Sequence, residues 1–500
     1  MSTPRTWKSS RVSQVWAFGF VAVIGGQSFA WNTGLVAGTV SYGMGVVLMG
    51  MAYLCMVLSI AEVSSVISFP GGVYGLARCT VGFYFGFLAG CCELLEYTLF
   101  VTTGNLTISQ ILSNRWPALL PYTPLIWLIN QTITFGVVLI GGRLFWRVIV
   151  VVAIVVAMIL FLYYFSAMSY ADMATYSGGM DNACHGGFPQ FLAVLPQASW
   201  MFSGIESLST LSNDVTDPKH LIPRGQVASM CTLLVLSWCN YITSISLPPG
   251  ALGLPSVVAT MNGGFTAAFN ISDATSSLLM LPSTLSMTIC FGLAASNILV
   301  AMAQSKLMPS MLAKSHPRLE TNVNARLVIL AVSSGMCFWL LYDANVNMTI
   351  YNICIVFGFI AYIVQCASFI YLRRRHKRMK RLFVSPVGIP GAVFAMAVFG
   401  LSGMFVVFCQ EDHYVVLTAS TAILVLLSIY YHLFAKHRQT ISPDEHAFLF
   451  AHVAKFNVKP KQKSSLKLLT KATWRYIGLV SPTSSNALRN IRVQPAAGVS

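Results

Sequence analysis

The chain has 500 residues, 56% of them hydrophobic and 9% charged, with a net charge of +16. Soluble domains carry about 25% charged residues, so this composition places the chain in a membrane and leaves no room for a separate soluble enzyme. A helical crossing needs roughly 20 apolar residues. Such stretches recur at 15–38, 41–64, 81–110, 122–140, 146–168, 190–212, 226–247, 276–300, 325–342, 348–371, 387–409 and 414–435. The expected organisation is a short N-terminal segment (1–14), one all-α domain of twelve transmembrane helices (15–435) and a basic tail (436–500).

Span 1 is broken at its centre by Ile24-Gly25-Gly26-Gln27-Ser28. It is too long for a cleaved leader, and Gln27, Trp31 and Asn32 do not suit an apolar signal core. Span 2 ends near Glu62, placed to fix a loop or gate, and span 3 carries Glu93 and Glu96 on one helix face. Span 6 is broken in turn by Phe202-Ser203-Gly204-Ile205-Glu206. A bilayer cannot satisfy a loose backbone group, so helices break there only where protein or ligand does. Paired breaks in two halves point to the midplane site of a secondary transporter. Gly26 and Gly204 lie 178 residues apart, which divides spans 1–10 into halves near 15–168 and 190–371. Five spans per half is an odd number, so the halves are inverted: a LeuT-type 5+5 inverted repeat with spans 11 and 12 appended.

The breaks suggest the chemistry. Amides at a helix start attract a carboxylate, and released carbonyls attract an ammonium group. Gly25, Gly26 and Gln27, with Ile24, are expected to face the carboxylate or hydroxyl end of a small solute. The backbone of Phe202, Ser203, Gly204 and Ile205 is expected to take the ammonium, with Phe202 as an aromatic gate. A charge at a span centre costs on the order of 3 kcal/mol, so Glu93, Glu96 and Glu206 imply a wet or protein-lined place. They are candidates to stabilise positive charge or relay a proton.

The basic residues give an orientation. Of 31 Lys and Arg, all but Arg115 fall on one side if the N-terminus is cytoplasmic, including the run Arg373-Arg374-Arg375-His376-Lys377-Arg378. Beside a span, that run reads as a topology anchor on anionic lipid and not as a nucleic-acid site. Both termini are then cytoplasmic and a plasma-membrane location is expected. Asn270-Ile271-Ser272 is a glycosylation acceptor in an opposite-side loop. Of twelve cysteines only Cys184 lies in such a loop, so no intrachain bridge is expected there, and Cys91-Cys92 lacks metal-ligand spacing. No histidine sits mid-span, and no nucleophile elbow, phosphate loop or zinc motif occurs, so neither catalysis nor a cofactor or metal is expected.

Ordered landmarks over about 15–435 resemble the amino acid–polyamine–organocation permease superfamily: Ala61-Glu62-Val63-Ser64-Ser65, Pro70-Gly71-Gly72-Val73-Tyr74, Ser203-Gly204-Ile205-Glu206, Asp217-Pro218-Lys219, Ile222-Pro223-Arg224-Gly225 and Leu307-Met308-Pro309. The first hundred residues, through Gly25–Asn32 and Glu93–Tyr97, are most similar to ethanolamine permeases and related amino acid transporters. Gln27 departs from the acidic residue that subgroup favours, and span 5 lacks the lysine some proton-coupled relatives use. The resemblance implies alternating-access transport of an amino acid or a small amine such as ethanolamine, and leaves proton coupling open. Cys79 lies away from the docking point of a disulfide-linked accessory subunit, so none is expected. The rival reading is a non-transporting nutrient receptor that signals through its tail.

Overall fold

The computed structural model describes residues 8–446 except 10, 70, 318–320, 343–345, 378, 409–413 and 443–444. The tail beyond His446, Pro70 and Arg378 therefore lie outside the described residues. The described residues form helices joined by turns and loops, with one isolated backbone bridge, between Ser9 and Val215.

Helices occupy all twelve predicted stretches. Among the described residues, nine are long and apolar enough to cross a membrane, from Thr39–Val66 to Val415–Arg438. Two shorter apolar helices, Val12–Val23 and Val323–Trp339, correspond to the start of span 1 and to span 9. Span 6 is the remaining one. It runs as Gly187–Val194, tightens into the 3-10 turns of Leu195–Met201, breaks, and resumes at Ile205–Asn213. Pro196 sits at the tightening, where its missing N–H disturbs the ordinary α-helical ladder. Span 1 likewise stops at Val23 and resumes as the tight turn Trp31–Ala37.

Spans 8 and 3 form the centre, with 83% and 78% of their apolar windows buried; span 12, at 17%, and span 5, at 28%, form the rim. The rim presents Val151, Ile154, Met158, Phe161 and Phe165 outward, as lipid-facing helices do. Inside, small residues let helices touch. A Cβ at Gly19 would meet Ser229 and Leu208 within 3 Å, and one at Gly104 would meet Thr288 at 2.4 Å. With hydrocarbon on both sides offering no hydrophobic drive, such close packing is what holds membrane helices together.

The two faces of the bundle differ. On the face away from the basic residues, loops fold over the broken ends. Ser28 O accepts from both the amide (3.1 Å) and the hydroxyl (3.2 Å) of Thr260, and Asn32 donates to Leu254 O and Val257 O at 2.6 and 2.8 Å. The amide of His185 donates to Ala37 O at 2.8 Å. On the basic face, a narrow cleft of about 30 Å³ opens among Ile60, Ser64, Gly72, Ser209, Ile222 and Gln365.

Candidate functional site

The first break is tied to the second by a close backbone approach. A Cβ on Gly26 would stand 2.1 Å from the carbonyl oxygen of Trp200, so glycine here makes room for the other broken span. Neither Gly25 nor Gly26 has a positive φ; the left-handed residue of this turn is Ala30, at +73°. Gly25 packs beside Met287 and Ser283. The amides of Gly26, Gln27 and Ser28 donate to Val23, Ile24 and Gly25 carbonyls at 2.9–3.1 Å. Gln27 is wholly buried. Its amide nitrogen donates to Met201 O and Leu233 O, both at 3.0 Å, and its oxygen accepts from Asn240 at 3.0 Å. Gln27 thus joins spans 1, 6 and 7.

At the second break, Gly204 adopts φ +98°, and a Cβ there would overlap the Phe291 ring at 2.2 Å. The amides of Phe202 and Ser203 donate to Ser199 O, and that of Gly204 donates to Glu206 Oε2 at 3.2 Å. The carbonyl of Ile205 accepts from Gln226 at 3.2 Å. Ser203 Oγ lies 2.8 Å from the Tyr53 hydroxyl, and the buried Phe202 ring lies 5.7 Å from that of Tyr53.

Below this break three carboxyls from two spans converge. Glu93, Glu96 and Glu206 are 0%, 1% and 0% exposed. Glu93 Oε1 accepts from Tyr97 Oη at 2.9 Å and from Gln365 Nε2 at 3.4 Å, and Glu96 Oε1 accepts from Tyr362 Oη. Glu206 bears electrostatically on Glu93, Glu96, Tyr53, Tyr97 and Tyr362, so these form one cluster. One oxygen of each carboxyl, Glu93 Oε2, Glu96 Oε2 and Glu206 Oε1, has no hydrogen-bond partner among the described residues. No group of residues there could hold a metal ion. Among the described residues, no arginine, lysine or histidine is an electrostatic neighbour of the three. The walls are aromatic: Tyr97 stacks on Phe291 at 5.5 Å, and Tyr53 meets Tyr362 edge-on at 5.5 Å.

The basic-face cleft stops one side chain short of this cluster. Gln365 and Gly72 line the cleft; Gln365 donates to Glu93, and a side chain at Gly72 would come 3.5 Å from Glu93 Oε1. Other buried carboxylates are matched by arginine. Glu62 holds Arg381 at 2.9 Å and Arg373 at 3.4 Å, and Glu445 holds Arg78 at 2.9 Å.

The structure therefore gathers Phe202, Ser203, Gly204, Glu206, Glu93 and Glu96 in one region, whereas the Gln27 side chain is spent on spans 6 and 7. Sequence reading did not single out Tyr53, Phe291, Tyr362 or Gln365. Tyr362 and Gln365 are polar residues three apart in an apolar span, the same signal that marked Glu93 and Glu96, and it was available for them too.

Residues 11–434 match the amino acid permease family. The chain is 23% identical over 397 residues to an uncharacterized transporter of Rhizobium meliloti, covering 75% of this chain and 81% of that one. It is 25% identical over 368 residues to the methylthioribose transporter of Bacillus subtilis, covering 68% and 75% of the two chains. An uncharacterized transporter of Mycobacterium tuberculosis is 24% identical over 323 residues, 64% of this chain and 69% of its own length.

Proposed function

The chain belongs to the amino acid permease family and is a membrane transporter, not an enzyme, and from that premise we propose that it carries a small ammonium-bearing solute by alternating access. The observation that carries this reading is the buried cluster of Glu93, Glu96 and Glu206, each with an unpartnered oxygen and none with a protein cation beside it among the described residues. An uncompensated buried charge is expensive, so the cluster's demand is met by something that comes and goes, a cationic solute or protons. Exchange of one for the other at the same carboxyls would couple solute movement to a proton gradient.

Access supports the same reading. Loops cover the broken helices on one face, while from the basic face the cleft runs as far as Gly72 and Gln365, which border the cluster. With the basic face cytoplasmic, this arrangement opens inward. Alternating access would close the cleft and release the contacts of Thr260 and Asn32 with their opposite-face partners, within a 5+5 inverted repeat spanning about 15–168 and 190–371.

The solute end that carries no charge would lie toward span 1. The amides of Gly26, Gln27, Ser28, Phe202, Ser203 and Gly204 are engaged within the chain and offer an anion no donor. That favours an amine such as ethanolamine over a zwitterionic amino acid. The aromatic walls suit an ammonium group as well. A second ammonium would satisfy a further carboxyl, so a diamine belongs among the probes, as does methylthioribose, the solute named for the Bacillus subtilis relative.

Purified protein in proteoliposomes tests the reading. Labelled ethanolamine, 1,4-diaminobutane, methylthioribose and neutral amino acids are offered with and without an imposed pH gradient. Saturable, gradient-driven accumulation of an amine is the expected result. Binding without uptake of any probe would replace the permease with a receptor.

A further inference from the structure

The helix Val73–Thr80, on the basic face, answers to two different parts of the molecule at its two ends. At its start, Gly72 lines the cleft, and a side chain there would come 3.5 Å from Glu93 Oε1. Near its end, Arg78 is buried and bound to the C-terminal segment. Nη1 donates to Glu445 Oε1 and Oε2 at 2.9 and 3.1 Å and to Tyr74 Oη at 2.8 Å, and Nη2 donates to Thr440 O at 3.2 Å. Phe83 lies under the guanidinium, 4.9 Å from ring centre to Cζ. The side chains of Arg78 and Glu445 are 0% and 2% exposed.

The C-terminal segment is itself fixed. Ser442 and Glu445 cap one another: the Ser442 amide donates to Glu445 Oε2 at 2.8 Å, and the Glu445 amide donates to Ser442 Oγ at 3.2 Å. The Thr440 amide donates to Ser305 O at 3.0 Å, which anchors the segment to the turn after span 8. The short helix is flanked by glycines in backbone conformations that other residues rarely adopt: Gly71 at φ +84°, Gly72 at +61° and Gly82 at +125°. It is a lever between these glycines, with Glu93 at one end and the C-terminal segment at the other.

We propose that Arg78 is a positioning residue for the carboxyl cluster, held by Glu445, so that the C-terminal segment sets both the placement of Glu93 and the width of the cleft. The proposal rests on the permease reading for its effect on transport, but not for its effect on the lever. With the Glu445 carboxylate in place, the bidentate pair fixes the lever and Glu93 stays with Tyr97 and Gln365. Without it, Arg78 keeps Tyr74, Thr440, Gln439 and the Phe83 ring, the lever is held less firmly, and its start shifts beside Glu93.

The test uses the full-length protein and two readouts, hydrogen exchange over residues 72–80 and the kinetics of labelled ethanolamine uptake. In Glu445→Gln, exchange over the lever is expected to rise about tenfold relative to span 3, and the apparent KM to shift at least about threefold with a smaller change in maximal rate. Arg78→Glu combined with Glu445→Arg is expected to bring both back toward wild type. If Glu445→Gln does not fold, Arg78→Lys serves, since it keeps the charge and loses the fork; both shifts are then smaller and in the same direction. Unchanged exchange overturns the proposal. Faster exchange with unchanged KM also overturns it, leaving Arg78 a structural pair only. Wild-type protein that moves no probe, yet shows a lever loosened by Glu445→Gln, sinks the permease reading and keeps the latch.

Discussion

Two sets of buried carboxylates share this helix bundle on opposite terms. On the basic face, Glu62 and Glu445 are each met by arginine at 2.9 Å, and their oxygens also accept backbone amides of Ser385 and Ser442 at 2.8 Å. At the broken helices, Glu93, Glu96 and Glu206 have tyrosine, amide and backbone donors but no cation among the described residues, and each keeps an oxygen unmatched there. The first set is complete without a visitor. The second is not. Burial alone therefore does not mark a functional acid in this molecule; the absence of a fixed counter-charge does.

The largest expected effect tests the incomplete set. Glu206→Gln keeps shape and hydrogen bonding while removing a charge that bears on both other carboxyls. A buried charge partner for a cationic solute is worth about 2–5 kcal/mol, so amine uptake should weaken about thirtyfold or more in kcat/KM. Melting in detergent without solute should be unchanged or improved. Loss of stability with normal uptake would reverse the comparison, making Glu206 a structural acid.

The complete set should behave in the opposite way. Glu62→Gln leaves Arg381 and Arg373, which are 15% and 28% exposed, without their carboxylate. Hydrogen bonds to a charged group contribute about 1.5–3 kcal/mol, and the partial exposure of the arginines favours the lower end. A lower Tm, with the KM for amine held near wild type, is the outcome that separates it from Glu206. A KM effect as large as that of Glu206→Gln would erase the distinction.

How far this contrast could be read from sequence depends on the range of each signal. Twelve apolar stretches are local patterns, and helices occupy every one. The breaks at Gly25-Gly26 and Gly204 and the acids of spans 3 and 6 are likewise local departures from apolarity. Partnership is not local. Glu93 meets Gln365 across 272 residues, and Gln27 meets Asn240 across 213, so no spacing rule could say which acid finds an arginine and which finds only uncharged donors. Gly26 shows the same limit. Its lack of a Cβ was legible, but what fills the space, the Trp200 carbonyl, belongs to the other half of the chain.

Gln27 sharpens the comparison at a smaller scale, because it is a buried polar residue at the break whose hydrogen bonds are already matched. Gln27→Leu would strand the Met201 and Leu233 carbonyls and the Asn240 amide. Unsatisfied buried groups cost about 1–3 kcal/mol, so a drop in Tm is expected with solute selectivity retained. A change in preference between ethanolamine and neutral amino acids, with Tm intact, would instead return Gln27 to the solute-facing role its position in the sequence suggests.

The smallest effect concerns a carboxylate that belongs to neither set. Asp172 is exposed in the loop after span 5. It caps the short helix Met173–Tyr176, accepting from the Thr175 hydroxyl and amide and from the Ala174 amide at 3.0 Å. The Thr175 hydroxyl, then its amide, hold the Asp172 carboxyl below the usual aspartate value. The folded loop therefore binds its proton less readily than an unfolded one. Its contribution is present above the ordinary aspartate range and is lost as pH falls through the lowered value. Hydrogen exchange at Ala174 and Thr175, corrected for the intrinsic pH dependence, should speed up only at that acidic end. Asp172→Asn should show the corrected rate flat with pH. Because solvent screens this group, neither uptake nor global melting should follow it, and a transport step that tracked Asp172 would mean that the loop takes part in opening the covered face.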